Sequence, residues 1–220
     1  MSERVLLSWS GGKDSSLTLA ELLADPTRSV AALLTTVTEG YDRISMHGVR
    51  RTLLLQQADA LGLPLTVVTI PQRATNAVYE SAMEAAFDRF RAEGVTTVAF
   101  GDLFLADVRG YREAWLARVG MTPIFPIWDR DTRELARGFI DRGFRAILTC
   151  VDTRVLDASF AGRPFDRALL ADLPETVDPC GENGEFHTFV FDGPMFRGSV
   201  PVALGPAVQR ESWCFRDLLP

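Results

Sequence analysis

Ser10-Gly11-Gly12-Lys13-Asp14-Ser15 follows the apolar run at 4–9 and precedes a segment with Leu17, Ala20, Leu23 and Ala24 at helical spacing. Strand, glycine turn and helix together make an anion site. Glycine lacks a Cβ, so the chain can turn sharply there and present its amides. The first amides of a helix have no partner within it and carry partial positive charge, which suits a phosphate. Lys13 adds a full charge, and Ser10 and Ser15 add hydroxyl donors. The spacing is neither a Walker A loop nor GxGxxG. A plain turn with Asp14 or Ser15 capping the helix would use the same residues.

A second group lies in DPCGENGEFHTFVFDGP at 178–194, where Glu182, Glu185 and His187 form the densest polar cluster in an otherwise apolar stretch. On a strand, Glu185 and His187 would share one face and Phe186 and Thr188 the other. Two carboxylates and an imidazole could bind Mg²⁺, orient an amine or accept its proton. The alternative is a glycine-shaped turn with solvated carboxylates. Asp102 follows an apolar run at 95–101, at the strand end where open parallel sheets bind ligands, and could also cap a helix. His47 precedes a helical segment beside Gly48. Arg109 and Glu113 stand four apart, as a helix-surface ion pair or with Arg109 free to meet a phosphate or carboxylate. Thr35 and Thr36 close the second apolar run. Cys180 abuts the second group, without the neighbouring base that a thiolate nucleophile needs. Phe125, Trp128 and Phe186 read as core residues.

The elements that must position these groups alternate. Apolar runs at 4–9, 30–38, 65–70, 95–101 and 122–127 read as strands, and 14–24, 49–61, 74–92 and 109–119 as helices. Strands alternating with helices imply a parallel sheet covered on both faces. A helix at 132–142 and a strand at 145–151 continue the pattern once. Gly and Pro then become frequent between short extended runs at 186–191, 199–204 and 207–215. The expected architecture is an α/β domain of doubly wound, Rossmann-like kind over 1–127 and a smaller strand-rich domain over 128–220.

The chain has 220 residues, 47% hydrophobic and 24% charged, with a net charge of −6. That acidic balance argues against broad attraction to nucleic acid. No apolar run is long enough to span a membrane, and no signal peptide is legible, so a cytoplasmic location is expected. Cys150, Cys180 and Cys214 show neither a disulfide framework nor a metal spacing.

The loop resembles the SGGxDS loop of the N-type ATP pyrophosphatases, the PP-loop enzymes, which have an adenine-nucleotide α-hydrolase-like fold. Further stretches are similar to the diphthine–ammonia ligase (diphthamide synthetase) family over essentially the whole chain. They are Met46-His47-Gly48-Val49, Gly101-Asp102, Arg109 with Glu113, Phe125-Pro126-Ile127-Trp128 and, most specifically, 178–194. The resemblance implies cleavage of ATP to AMP and pyrophosphate, adenylation of a carboxylate and formation of an amide with ammonia or an amine. It implies ATP and Mg²⁺ as cofactors, with Ser10, Gly11, Gly12, Lys13, Asp14 and Ser15 on the β and γ phosphates and Asp14 on the metal. Adenine would lie at Thr35 and Thr36, with His47 also in the nucleotide site. Asp102, Glu182, Glu185 and His187 would be the catalytic residues, and 128–220 the acceptor domain. A homodimer is possible, and neither nucleic acid nor membrane is expected as a partner.

One departure stands out: diphthamide-forming ligases resemble GEGGEYET at the site where this chain has Gly181-Glu182-Asn183-Gly184-Glu185-Phe186-His187-Thr188. The histidine form is similar to a separate branch proposed to act on a corrinoid or related acid in cobalamin salvage. Other readings are a tRNA-modifying enzyme on the same loop and a non-catalytic ATP or AMP sensor. The first would call for paired cysteines or a basic appended domain, and the second has less need of the Glu-rich motif.

Overall fold

The computed structural model describes residues 2–44 and 48–220. The elements run β1 (Glu3–Ser8), α1 (Lys13–Ala24), β2 (Arg28–Thr38), β3 (Arg43–Ile44), α2 (Arg51–Leu61), β4 (Leu65–Ile70), α3 (Asn76–Ala92), β5 (Thr97–Ala99), α4 (Ala106–Arg118) and β6 (Thr122–Ile124). There follow α5 (Thr132–Asp141), β7 (Arg145–Asp152), a 3-10 turn at Ala158–Phe160, α6 (Arg167–Asp172), β8 (Phe186–Asp192), β9 (Ala203–Arg210) and β10 (Trp213–Leu219).

β1 pairs in parallel with β2 and β5, β2 with β4, and β5 with β6. The parallel order is therefore β4-β2-β1-β5-β6, a doubly wound α/β sheet as the alternation led us to expect. The chain winds outward from β1 through β2 to β4, then returns through α3 to β5 on the other side. The switch point falls between β1 and β5, where open α/β sheets bind ligands. β2 outruns β1, and β3 pairs antiparallel with its last residues, Val37 and Thr38. Since β4 occupies the other edge of β2 there, β3 sits beyond the carboxyl end of β1.

The second sheet is antiparallel, in the order β8-β7-β10-β9. Two expectations fail here. Residues 199–202 are not a strand, and the run at 207–215 is a hairpin, β9 turning into β10 at Glu211-Ser212. Neither turn residue is Gly, Asn or Pro, the usual signals. Glu211 adopts φ +53° itself. Pro206 is tolerated within β9 because β9 is an edge strand.

Two of the three hydrophobic clusters draw on both halves of the chain. Leu7, Trp9, Leu53 and Leu54 pack with Phe189 of β8 and Leu218 of β10. Leu17 and Ala20 of α1 pack with Phe139, Leu148, Phe186 and Val190. Full burial of a Leu or Phe is worth about 1.5–3 kcal/mol, against about 1 kcal/mol for a hydrogen bond. Shared apolar burial is thus the main force holding β8 against the first sheet. No helix among the described residues is long and apolar enough to cross a membrane.

Candidate functional site

The phosphate-loop sequence forms the turn between β1 and α1. Gly11 takes φ +77°, and a Cβ there would lie 2.8 Å from Gln57 Oε1 and 2.9 Å from a Leu54 methyl. Only glycine satisfies both conditions. α1 begins at Gly12 without a side-chain cap, which leaves first-turn amides for a ligand. Ser15 Oγ donates to the Gly12 carbonyl at 3.0 Å, and the Gly12 amide donates to Ser10 Oγ at 3.2 Å.

Strand β8, some 175 residues on, completes this turn. The Lys13 amide donates to Thr188 Oγ1 at 3.0 Å, and the Val190 amide to the Gly11 carbonyl at 2.9 Å. A Cβ on Gly12 would meet the Thr188 carbonyl at 3.0 Å. Gln57, fully buried on α2, knots the parts together. Its Oε1 accepts from Trp9 Nε1 at 2.8 Å, and its Nε2 donates to the carbonyls of Gly11 (3.0 Å) and Val190 (2.6 Å). From the other side Gly101, at the end of β5, lets the α1 backbone approach, since a Cβ there would lie 2.9 Å from the Asp14 carbonyl carbon.

These elements enclose a cavity of about 400 Å³ over the switch point. Ser10, Gly12, Lys13, Asp14, Ser15, Thr35, Thr36, Asp102, Glu182 and His187 line it, so the structure brings most of the expected site residues together. Gly11 shapes the turn from behind. Glu185 is buried outside the lining, and its Oε1 accepts from the Asp178 amide and Asn183 Nδ2, both at 3.0 Å. That carboxylate closes the 178–185 loop, whose positive-φ residues are Gly181 and Gly184. His47 lies outside the described residues.

β8 keeps a strand's alternation: Phe186, Thr188 and Val190 meet α1 and its cluster, and Phe189 and Phe191 pack in the other cluster. Thr149 is an extra residue on β7 between the pairs Leu148–Thr188 and Cys150–His187, and its hydroxyl donates to the His187 carbonyl. The His187 ring stacks near Trp213, with centroids 6.1 Å apart.

Lys13, the only lysine in the chain, is 3% exposed and reaches both oxygens of Asp14 at 2.8 Å. Burial works against its charge, but the Asp14 carboxylate outweighs it and holds the pKa above the ordinary lysine value. Burial raises Glu182 to about 7, and the Asp14 charge adds to that, against an opposing hydrogen bond from the Leu103 amide at 2.7 Å. Burial also pushes the Cys180 and Cys150 thiols up to about 12, so neither offers a thiolate.

Asp102 accepts two hydrogen bonds from Arg112, Nε at 2.6 Å and Nη2 at 3.1 Å, while Arg112 lies 4.3 Å over the Phe100 ring. Arg112 lines the cavity, whereas Arg109 pairs with Glu113 at 2.7 Å and sits over Phe125 and Trp128. The sequence reading singled out Arg109 for its spacing and missed Arg112. It also missed Gln57, although one signal was present: Gln57 is the polar residue on the stripe Leu53, Leu54, Ala58 and Leu61.

Among the described residues no group of three or more His, Cys, Asp or Glu is arranged to hold a metal alone. Mg²⁺ takes hard oxygen ligands and is commonly shared between one or two carboxylates and substrate phosphates. Asp14, 29% exposed and lining the cavity beside the loop amides, fits that role.

The strand order and the glycine loop at the switch point place the chain in the adenine-nucleotide α-hydrolase-like class. Residues 3–123 match the family model described as diphthamide synthase N-terminal domain, and residues 131–218 that of the diphthamide synthase C-terminal domain. The chain therefore belongs to the diphthamide synthase family. It is 26% identical to the diphthine–ammonia ligase of Bos taurus, over 96% of this chain and 87% of that protein. It is 27% identical to that of Homo sapiens, over 90% and 82%. A solved structure described as a predicted subunit of tRNA methyltransferase from Methanocaldococcus jannaschii is similar at 18% identity and TM-score 0.40, covering 66% of this chain and 77% of that one.

Proposed function

We propose that the chain is an ATP-dependent, AMP-forming ligase that joins a carboxylate to ammonia or a simple amine. The observation that carries this reading is the phosphate loop opening into one cavity with Asp102 and Arg112 from the first sheet and Glu182 and His187 from the second half. Family membership and the named activity of the mammalian relatives support it.

The β and γ phosphates lie along Ser10–Ser15, held by first-turn amides, the two serine hydroxyls and the Lys13 ammonium. Thr35 supports the nucleoside end, because it lines the cavity and its buried Oγ1 has no hydrogen-bond partner among the described residues. Thr36 lies beside it. Mg²⁺, held by Asp14 and the phosphates, would neutralise charge growing on the departing pyrophosphate. An oxygen of the acceptor carboxylate attacks the α-phosphorus, and the bond to the bridging oxygen of pyrophosphate breaks. Ammonia then attacks the acyl carbon of the adenylate, the bond to AMP breaks, and Glu182 takes the proton from nitrogen. Asp102 holds Arg112 toward the acceptor, His187 orients the incoming amine, and Glu185 keeps the 178–185 loop in shape. Residues 1–127 thus bind the nucleotide, and 128–220 supply the groups for the second step.

The test is product analysis with ATP, Mg²⁺, ammonium and a panel of carboxylic acids. AMP and pyrophosphate should form in equal amounts and only when an acid is present. Recovery of ADP, or hydrolysis indifferent to the acid, would sink the reading.

A further inference from the structure

A second cavity of about 380 Å³ opens between α3 and α4, lined by Asn76, Tyr79, Val108, Tyr111, Arg112 and Trp115. Tyr79 and Arg112 also line the nucleotide cavity, so these two residues border both spaces. Arg112 engages Asp102 through Nε and Nη2, which leaves Nη1 for a ligand. The other walls are aromatic: Trp115 lies 5.9 Å from Tyr79 and 6.2 Å from Tyr111, ring centre to ring centre. Trp115 is 2% exposed, and its buried Nε1 has no hydrogen-bond partner among the described residues. A buried, unsatisfied donor is uncommon unless something else satisfies it.

We propose that this second cavity is the subsite for the body of the acceptor, and that it selects a carboxylic acid carrying an aromatic or heteroaromatic ring. The proposal rests on the ligase reading above. The nucleotide cavity sits at the lower end of the size range for one small-molecule ligand, so an acceptor bound together with ATP needs further space. The acid's carboxylate meets Arg112 at the boundary, within reach of the nucleotide. Its ring enters among Tyr79, Tyr111 and Trp115, where aromatic groups pack in offset or edge geometries. Selectivity for the acid then resides on α3 and α4, in the first half of the chain, and not in 128–220 as the sequence led us to expect.

The experiment compares phenylacetate with acetate as acceptors, following AMP release from ATP with Mg²⁺ and ammonium. The protein is compared with its Tyr111→Ala and Tyr111→Phe variants. Tyr111 is 42% exposed, so its truncation leaves the core intact. The unaltered protein should favour phenylacetate in kcat/KM, and Tyr111→Ala should cut that preference about tenfold, the scale of losing apolar contact in a binding pocket. Tyr111→Phe keeps the ring and loses only the hydroxyl bond to Glu80, so it should keep the preference. An unchanged preference in Tyr111→Ala, or an equal loss in Tyr111→Phe, would overturn the proposal. If no acid supports AMP release, the ligase reading fails on its own, and saturation-transfer NMR of phenylacetate with α,β-methylene ATP judges the pocket. Binding that is lost in Tyr111→Ala supports it, and no binding to the unaltered protein rejects it.

Discussion

Glu182 is a carboxylate whose environment alters its chemistry. Burial first, and the Asp14 charge with it, lift its carboxyl to about 7 from an ordinary 4.5. Between those values the folded protein holds a proton that the unfolded chain has released, so stability falls as pH rises through the window. Glu182→Gln should therefore raise the unfolding temperature at pH 8 and leave it nearly unchanged at pH 5, as thermal melts would show. The proposed role as base uses the ionised form. At constant free ammonia, amide formation should rise about tenfold per pH unit up to near pH 7 and then level, and Glu182→Gln should be at least about a hundredfold slower with no such limb. Greater stability at the cost of activity is the expected trade at a strained site. Lys13 poses a related question, since the chain uses arginine everywhere else. A compact ammonium fits the narrow space between Asp14 and Phe186. Lys13→Arg should thus raise the KM for ATP as well as Lys13→Met does, measured by AMP release at saturating acid.

At the scale of elements, the close approaches decide. Gly101→Ala places a Cβ 2.9 Å from the α1 backbone, which cannot move as a side chain can. It should cost about 1–3 kcal/mol by denaturant unfolding and displace the loop, weakening ATP binding. Gln57→Leu keeps the bulk but removes the side-chain partner of the Val190 carbonyl and of Trp9 Nε1 and one of the two donors to the Gly11 carbonyl. It should cost about 1–3 kcal/mol and raise the KM for ATP more than it lowers kcat. Strand β10 carries a separate tie. Partial burial pushes Asp217 up, but hydrogen bonds from Arg50 and Arg43 pull it down to about 2. That stability is present above pH 4 and lost as pH falls through 2, so Asp217→Asn should cost about 1–2 kcal/mol at pH 7 and only a small part of that at pH 2. The elements also show what was legible. The parallel strands and the 51–61 helix could be read because apolar period and glycine stops agree there. The β9–β10 hairpin could not, because its turn is built from Glu211 and Ser212. The bulge at Thr149 could not be read either, because it arises from pairing with β8, out of reach of any local pattern.

For the whole molecule, the loop residues of the site were legible while its closure was not: nothing near Gly11 or Lys13 announces Val190 or Thr188. Since β8 bonds the loop directly, ATP should stabilise both halves as one unit. At 100 times its dissociation constant, a ligand adds about 2.7 kcal/mol. For a chain of this size that is a rise of roughly 5–11 °C in melting temperature. Hydrogen exchange should slow in β8 as well as in α1, and protection confined to α1 would contradict the coupling. The distance along the chain between the loop and the strand that closes it also orders events in time. A ribosome that has released only the parallel sheet has made the loop but not Thr188 or Val190. The nascent chain thus lacks the groups that close the loop until strand β8 has been made, and on the proposed ligase reading it cannot spend ATP before the half that uses the adenylate is present.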